Sequence, residues 1–181
     1  MKKRILLGVC AGVAIYKICY LARLLLKKGF EVKIIMTKSA TKLLSPLLFE
    51  SLGAEVEIEL FQKEKPLLHI QLAEWADLVV IAPATLNTLS KLSAGVADNL
   101  LLTTLFALPS KTPVLFFPSM NENMWKHPLF QENLKKLKKI KNYKIVEPKK
   151  GVLASGKIGK GRMPEPEEIL KEIEKTLFLK K

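Results

Sequence analysis

The sequence predicts an α/β fold built around a parallel sheet, and three observations predict it. Short apolar runs alternate with segments of helical periodicity from one end of the chain to the other. Gly, Pro, Ser, Thr and Asn gather where the apolar runs stop. Hydrophobic residues fill 49% of the 181 positions, enough for one compact core and too many for a disordered chain.

Arg4–Val9 is the first expected strand. Ile15, Ile18, Cys19, Ala22, Leu25 and Leu26 then recur at helical spacing, and Gly29 ends that helix. Val32–Met36 is the second strand. Ser45-Pro46 reads as an N-cap followed by proline at the first helical position, opening a helix that stops at Gly53. Val56, Ile58 and Leu60 alternate with Glu55, Glu57 and Glu59, as on a short edge strand or a hairpin arm. Leu78–Ile81 is a third strand, followed by helices over Leu86–Ser93 and Asp98–Leu108 with Gly95 between them. Val114–Phe117 is the fourth strand, closed by Pro118. Lys135, Lys136, Lys138 and Lys139 interleave with Leu134, Leu137 and Ile140 in an amphipathic helix, and Lys144–Val146 is the fifth strand. Pro148–Met163 holds four glycines and reads as a long loop, a kind that is usually functional. Pro166, Glu167 and Glu168 start a last helix, buried through Leu170, Ile173 and Leu177. Residues 1–181 thus read as one Rossmann-like (flavodoxin-like), doubly wound domain.

Composition narrows the function. No run approaches the roughly 18–20 apolar residues of a membrane span. The opening MKKRILLGVC is broken by Gly8, Gly12 and Lys17, so a buried strand is expected there rather than a secretion signal. Cys10 and Cys19 are too few for a disulfide scaffold, which points to a reducing, cytoplasmic setting. The net charge of +13 suits a polyanion or a small anionic substrate. The lysine-rich helix has no aromatic stacking series or zinc-finger spacing beside it, so nucleic acid is not the expected partner.

In a sheet of this kind, ligands bind beyond the carboxyl ends of the strands. The segments to inspect are therefore 8–14, 36–40, 82–88, 117–124 and 148–163. The first lacks a G-x-G-x-x-G pattern because Cys10 and Val13 stand where glycines are needed; an anion at the helix start and an empty tight turn both fit it. Gly151–Lys157 nearly spells a phosphate-binding loop, but Ile158 replaces the magnesium-binding hydroxyl and the following glycines deny it a helix. His69 and His127 belong to no metal cluster. His127-Pro128 reads as a helix entry, while His69 is either a structural histidine or a general base. Asn87 and Asn121 are either helix caps or uncharged ligands for a ring edge or a carboxylate.

Five stretches carry a resemblance to a known family: GVCAGVAIYK at 8–17, MTKSA at 36–40, HIQLAEWADLVVIAPATLNTLSKLSAGVADNLL at 69–101, PSMNENMW at 118–125 and SGKIGKGRMPEP at 155–166. In this order they resemble the homo-oligomeric flavin-containing cysteine decarboxylases, and the last stretch is similar to the coenzyme A branch of that family. The resemblance implies FMN-dependent conversion of 4′-phospho-N-pantothenoylcysteine to 4′-phosphopantetheine. The cysteine side chain is oxidised transiently to a thioaldehyde, CO₂ leaves, and the ene-thiol is reduced again; the cofactor carries the hard step.

The same resemblance implies roles for single residues. His69 matches the catalytic base, and Asn121 matches the residue that holds the substrate carboxylate, helped by Met124. Ala11, Gly12, Val13, Thr37 and Ser39 fall around the flavin phosphate, and Thr85, Leu86, Asn87, Thr88 and Ser119 near its ring. Arg162 and Met163 belong to the substrate flap. Ser155 stands where the family often has cysteine as the final acid, and a hydroxyl is a far poorer acid than a thiol of pKa about 8.5. Two rivals follow: an oxidative decarboxylase that releases ene-thiols from peptides ending in cysteine, and a non-catalytic flavin-binding regulatory subunit. A flavin prenyltransferase is disfavoured by His69 and the P-x-M-N stretch. The family also implies a trimer or dodecamer and a phosphopantothenate–cysteine ligase, either fused or separate, of which the chain shows no sequence.

Overall fold

The computed structural model describes residues 2–178. Strand β1 (Arg4–Val9) runs into a 3-10 turn at Val13–Ile15 and helix α1 (Tyr16–Lys27). Then come β2 (Glu31–Met36), α2 (Pro46–Glu50), β3 (Glu55–Glu57) and α3 (Leu68–Trp75). The middle of the chain forms β4 (Leu78–Ala84), α4 (Leu86–Ser93), α5 (Leu100–Ala107) and β5 (Val114–Pro118). Helices α6 (Glu122–Lys126) and α7 (Pro128–Lys138) precede β6 (Tyr143–Ile145). A hairpin of β7 (Lys149–Val152) and β8 (Ile158–Arg162) leads to α8 (Pro166–Phe178).

Six strands form one parallel sheet in the order β3-β2-β1-β4-β5-β6. The order reverses between β1 and β4, which opens a crevice at their carboxyl ends. The sheet is buried on both faces, so its central strands read as continuous apolar runs. Ile5, Leu7 and Val9 pack with α1, α2 and α8 on one side. Leu6, Val79 and Ile81 pack with α3, α4, α5 and α7 on the other. Leu7 is fully buried, and truncating it to alanine would cost about 2–5 kcal/mol. Gly8 belongs to this packing: a methyl there would stand 2.6 Å from side-chain carbons of Ile81 and Leu101. It makes room for α5 against the sheet.

The structure corrects four expectations. Residues 148–163 are an antiparallel hairpin rather than a loop, with Gly151 opposite Gly159 and Val152 opposite Ile158. β7 is largely exposed and the buried positions of β8 are Gly159 and Gly161, so no alternation of apolar side chains marked the strands. The edge strand ends at Glu57 rather than running on to Leu60, and Glu57 is buried (4% exposed). Gln62 Nε2 donates to Glu57 Oε2 at 2.9 Å and Lys65 pairs with its other oxygen, which compensates the buried charge. Ser45 precedes α2 without a capping bond, and that helix ends at Glu50. The helix expected from Asp98 starts at Leu100, with Asn99 Oδ1 accepting from Leu102 N at 3.0 Å.

Candidate functional site

The carboxyl ends of β1, β2, β4 and β5 and the inner side of the hairpin enclose a cavity of about 1150 Å³. That exceeds the roughly 300–1,000 Å³ of most ligand clefts, leaving room for a ring system and a second small molecule together. All five segments singled out in the sequence contribute to its wall.

The turn after β1 supplies Ala11, Gly12 and Val13 at the entry to α1. Thr37 N donates to Val9 O at 3.0 Å, tying the turn after β2 beside it. Ser39 heads a 3-10 turn without using its hydroxyl as a cap, and it faces the same cavity. Two side-chain hydroxyls and the start of a helix therefore share one corner, a donor set suited to a phosphate.

The turn after β4 is organised by hydroxyls. Thr85 caps α4, its Oγ1 accepting from Thr88 N at 3.4 Å, and it donates to Thr88 Oγ1 at 3.2 Å. Thr88 Oγ1 in turn donates to Cys10 Sγ at 3.3 Å, a bond that crosses the switch point between β4 and β1. Burial pushes the Cys10 thiol up to about 11, against the lowering effect of Thr88, so the thiol is neutral at pH 7. Leu86 and Asn87 line the same stretch of wall, and the Ala82–Pro83 peptide leading into it is cis.

On the opposite side, Ser119 N donates to Ala84 O at 3.1 Å, which holds the loop after β5 against the end of β4. Asn121 caps α6, its Oδ1 accepting from Asn123 N at 2.8 Å. The two readings of this asparagine are therefore compatible: the cap uses the carbonyl end of the amide and leaves the NH₂ end for a ligand acceptor. Met124 lies on the cavity rim, and Ser155, Arg162 and Met163 reach the cavity from the hairpin and its exit. Asn87 is no cap, since Thr85 fills that place on α4.

One candidate stands apart. His69 is half-buried on α3 and does not line the cavity, and its Nδ1 is buried without a hydrogen-bond partner. Among the cavity residues that the sequence reading did not single out are Cys10 and Lys17. Lys17 is only 8% exposed, and its Nζ lies 2.8 Å from Glu165 Oε1, the oxygen that also pairs with Arg162. The Lys17 hydrogen bond, aided by Arg162, holds the Glu165 carboxyl below the usual range. Of the other cations in the wall, Lys38 pairs with Glu59 and Lys91 with Asp98. The Lys17–Glu165–Arg162 group thus leaves a net positive charge on the hairpin side, favourable to an anionic ligand.

The flavoprotein family pattern matches residues 1–178. The chain is 44% identical over 176 residues to the coenzyme A biosynthesis bifunctional protein CoaBC of Bacillus subtilis, covering 96% of this chain and 43% of that protein. It therefore spans less than half the length of this bifunctional relative. Among solved structures, a Cys-to-Ser mutant of PPC decarboxylase complexed with pantothenoylaminoethenethiol superposes with a TM-score of 0.87 at 32% identity, over 96% of this chain and 97% of that one. The FMN binding protein AtHal3 superposes with a TM-score of 0.87 at 31% identity, over 100% of both chains.

Proposed function

The chain belongs to the flavoprotein family, and on that basis we propose that it is an FMN-dependent decarboxylase of 4′-phospho-N-pantothenoylcysteine, yielding 4′-phosphopantetheine. The observation that carries this reading is the convergence of five separate loops on one cavity large enough for a tricyclic ring and an acyl-cysteine. A solved PPC decarboxylase and an FMN binding protein share its fold over nearly their whole length.

The donor set fits the cofactor. Thr37, Ser39 and the turn at Ala11–Val13 would hold the phosphate, and Thr85, Leu86, Asn87, Thr88 and Ser119 would border the ring. When bound, FMN supplies the two-electron oxidation that gives the departing carboxylate an electron sink. The protein's own residues do the rest. The Asn121 NH₂ group donates to the substrate carboxylate; being uncharged, it orients the carboxylate without the ground-state stabilisation that a cation would add. Arg162, with Met124 and Met163, holds the remainder of the substrate on the hairpin side. Ser155 faces the site of the last proton transfer, where its hydroxyl is a weak acid.

His69 is the base for the substrate thiol in this reading, and it reaches the cavity of a neighbouring copy. Its absence from its own cavity and its unpartnered Nδ1 support a site completed between subunits, in a trimer or a dodecamer of trimers. A ligase that joins cysteine to phosphopantothenate, fused or separate, would supply the substrate. The two unpaired cysteines suit a reducing cytoplasm, and no described helix is long and apolar enough to cross a membrane.

A second reading, oxidative decarboxylation with release of the ene-thiol, is favoured by Ser155 and by the aminoethenethiol held in the Cys-to-Ser relative. One experiment separates these readings: purified protein is loaded with FMN, its visible spectrum is taken, and the product is weighed by mass spectrometry. CO₂ with a thiol product supports the first reading, and a product two hydrogens lighter supports the second. Protein that stays colourless in excess FMN overturns both.

A further inference from the structure

We propose that Gly161 is a positioning residue: by lacking a side chain it lets β8 rest directly on the Met120 carbonyl, so that the flap hairpin and the Asn121 carboxamide are held as one unit. The unit itself rests on geometry alone, and what it binds rests on the decarboxylase reading above.

Three successive residues of β8 grip the segment around Asn121. A methyl on Gly161 would stand 2.0 Å from the Met120 carbonyl oxygen, closer than real Cβ contacts come, and the obstacle is backbone that cannot rotate aside. Met120 N donates to Gly161 O at 3.1 Å. Lys160 N donates to Glu122 Oε1 at 3.2 Å. A methyl on Gly159 would stand 2.8 Å from Glu122 Oε2. The two-residue spacing of Gly159 and Gly161 puts both on one face of the strand, the face laid against this segment. Asn121 is therefore bracketed on both sides, at Met120 and at Glu122, by the strand that ends in Arg162.

The geometry has a functional consequence. The hairpin carries Ser155 at its turn and Arg162 at its end, both in the cavity wall with Asn121. Groups expected to act on the carboxylate, the final proton and the rest of the substrate are thus registered to one another through the seating of β8 on the Met120–Glu122 segment. Gly151, on the partner strand, makes a different contact: its methyl would meet only the flexible Arg162 side chain, at 3.2 Å.

The test uses the full-length protein loaded with FMN, in wild-type form and as Gly161→Ala, Gly151→Ala, Glu122→Ala and Glu122→Gln. Amide hydrogen exchange at Met120 reads the contact without reference to activity, and the split of KM against kcat for the phosphorylated acyl-cysteine reads its use. Gly161→Ala is expected to speed Met120 exchange about tenfold or more and to raise KM by a similar factor, with the flavin spectrum unchanged. Gly151→Ala is expected to leave Met120 protected. Should Gly161→Ala fail to fold, Glu122→Ala reads the same unit through the Lys160 amide: a smaller rise in exchange and KM, restored by Glu122→Gln, supports it. Unchanged exchange at Met120 in Gly161→Ala, or faster exchange with KM unmoved, overturns the proposal. Wild-type protein that takes up no FMN and releases no CO₂ sinks the decarboxylase reading, and the exchange arm still decides the contact.

Discussion

Lys17 Nζ donates to Glu165 Oε1 at 2.8 Å, joining the first helix to the head of the last across 148 residues of sequence. The ammonium is buried, while the carboxylate is 41% exposed and also pairs with Arg162 from the hairpin. The pair therefore ties the cavity wall formed by α1 to the strand that closes it.

Glu165→Gln is expected to lower stability by about 1–2 kcal/mol at pH 7, less than the loss from a fully buried pair because solvent reaches the carboxylate. The sign with pH follows from the depressed folded pKa. The contribution is fully present above the unfolded value of 4.5 and is lost as pH falls through the lower folded value. Urea unfolding at a series of pH values should show the variant's deficit vanish in acid. Adding Lys17→Met to Glu165→Gln should recover most of the loss, because no buried charge is then left alone.

Asn121→Asp keeps an N-cap oxygen for Asn123 N and so should leave the melting temperature nearly unchanged. It replaces the only donor end of that side chain by an acceptor and sets like charges against each other. Loss of a hydrogen bond to a charged group is worth about 1.5–3 kcal/mol, so kcat/KM should fall by roughly 10- to 150-fold or more. Steady-state kinetics beside thermal melting checks both halves.

Ser155→Cys introduces a thiol at the hairpin turn, a position that lines the cavity. The expected outcome is a higher ratio of thiol to ene-thiol product, read as a mass two hydrogens greater. The gain should follow the acidity of the introduced group, since a thiol of pKa about 8.5 releases a proton far more readily than an alcohol.

His69→Asn and Asn121→Ala should each be inactive alone and regain activity when co-refolded. If the histidine of one copy serves the cavity of the next, about one site in four of a random mixture combines both intact groups. Activity that stays absent from the mixture would place both residues in one copy's site.

Much of the frame was legible because its signals are local. The β1, β4 and β5 runs are apolar since both faces of the sheet are covered, and each ends in the Gly, Pro, Ser, Thr or Asn that a ligand-facing turn needs. The hairpin was misread for the converse reason. Its order comes from contacts with Met120 and Glu122, some 40 residues earlier in the chain, and not from a hydrophobic face of its own. Glu57 escaped notice as a buried acid because its partners Gln62 and Lys65 lie in the following irregular segment.

The sequence by itself determined the alternating α/β frame and the five loops that meet at one end of the sheet, though not α3, α6 or the hairpin, because burial periodicity and turn chemistry are written within a few residues of each position. Only the tertiary structure decided that Lys17 and Cys10 face the cavity, that β8 is seated on the Asn121 segment, and that His69 lies outside the cavity. Those outcomes depend on which distant groups the packed sheet brings within a few ångströms, and no local pattern encodes a partner 148 residues away.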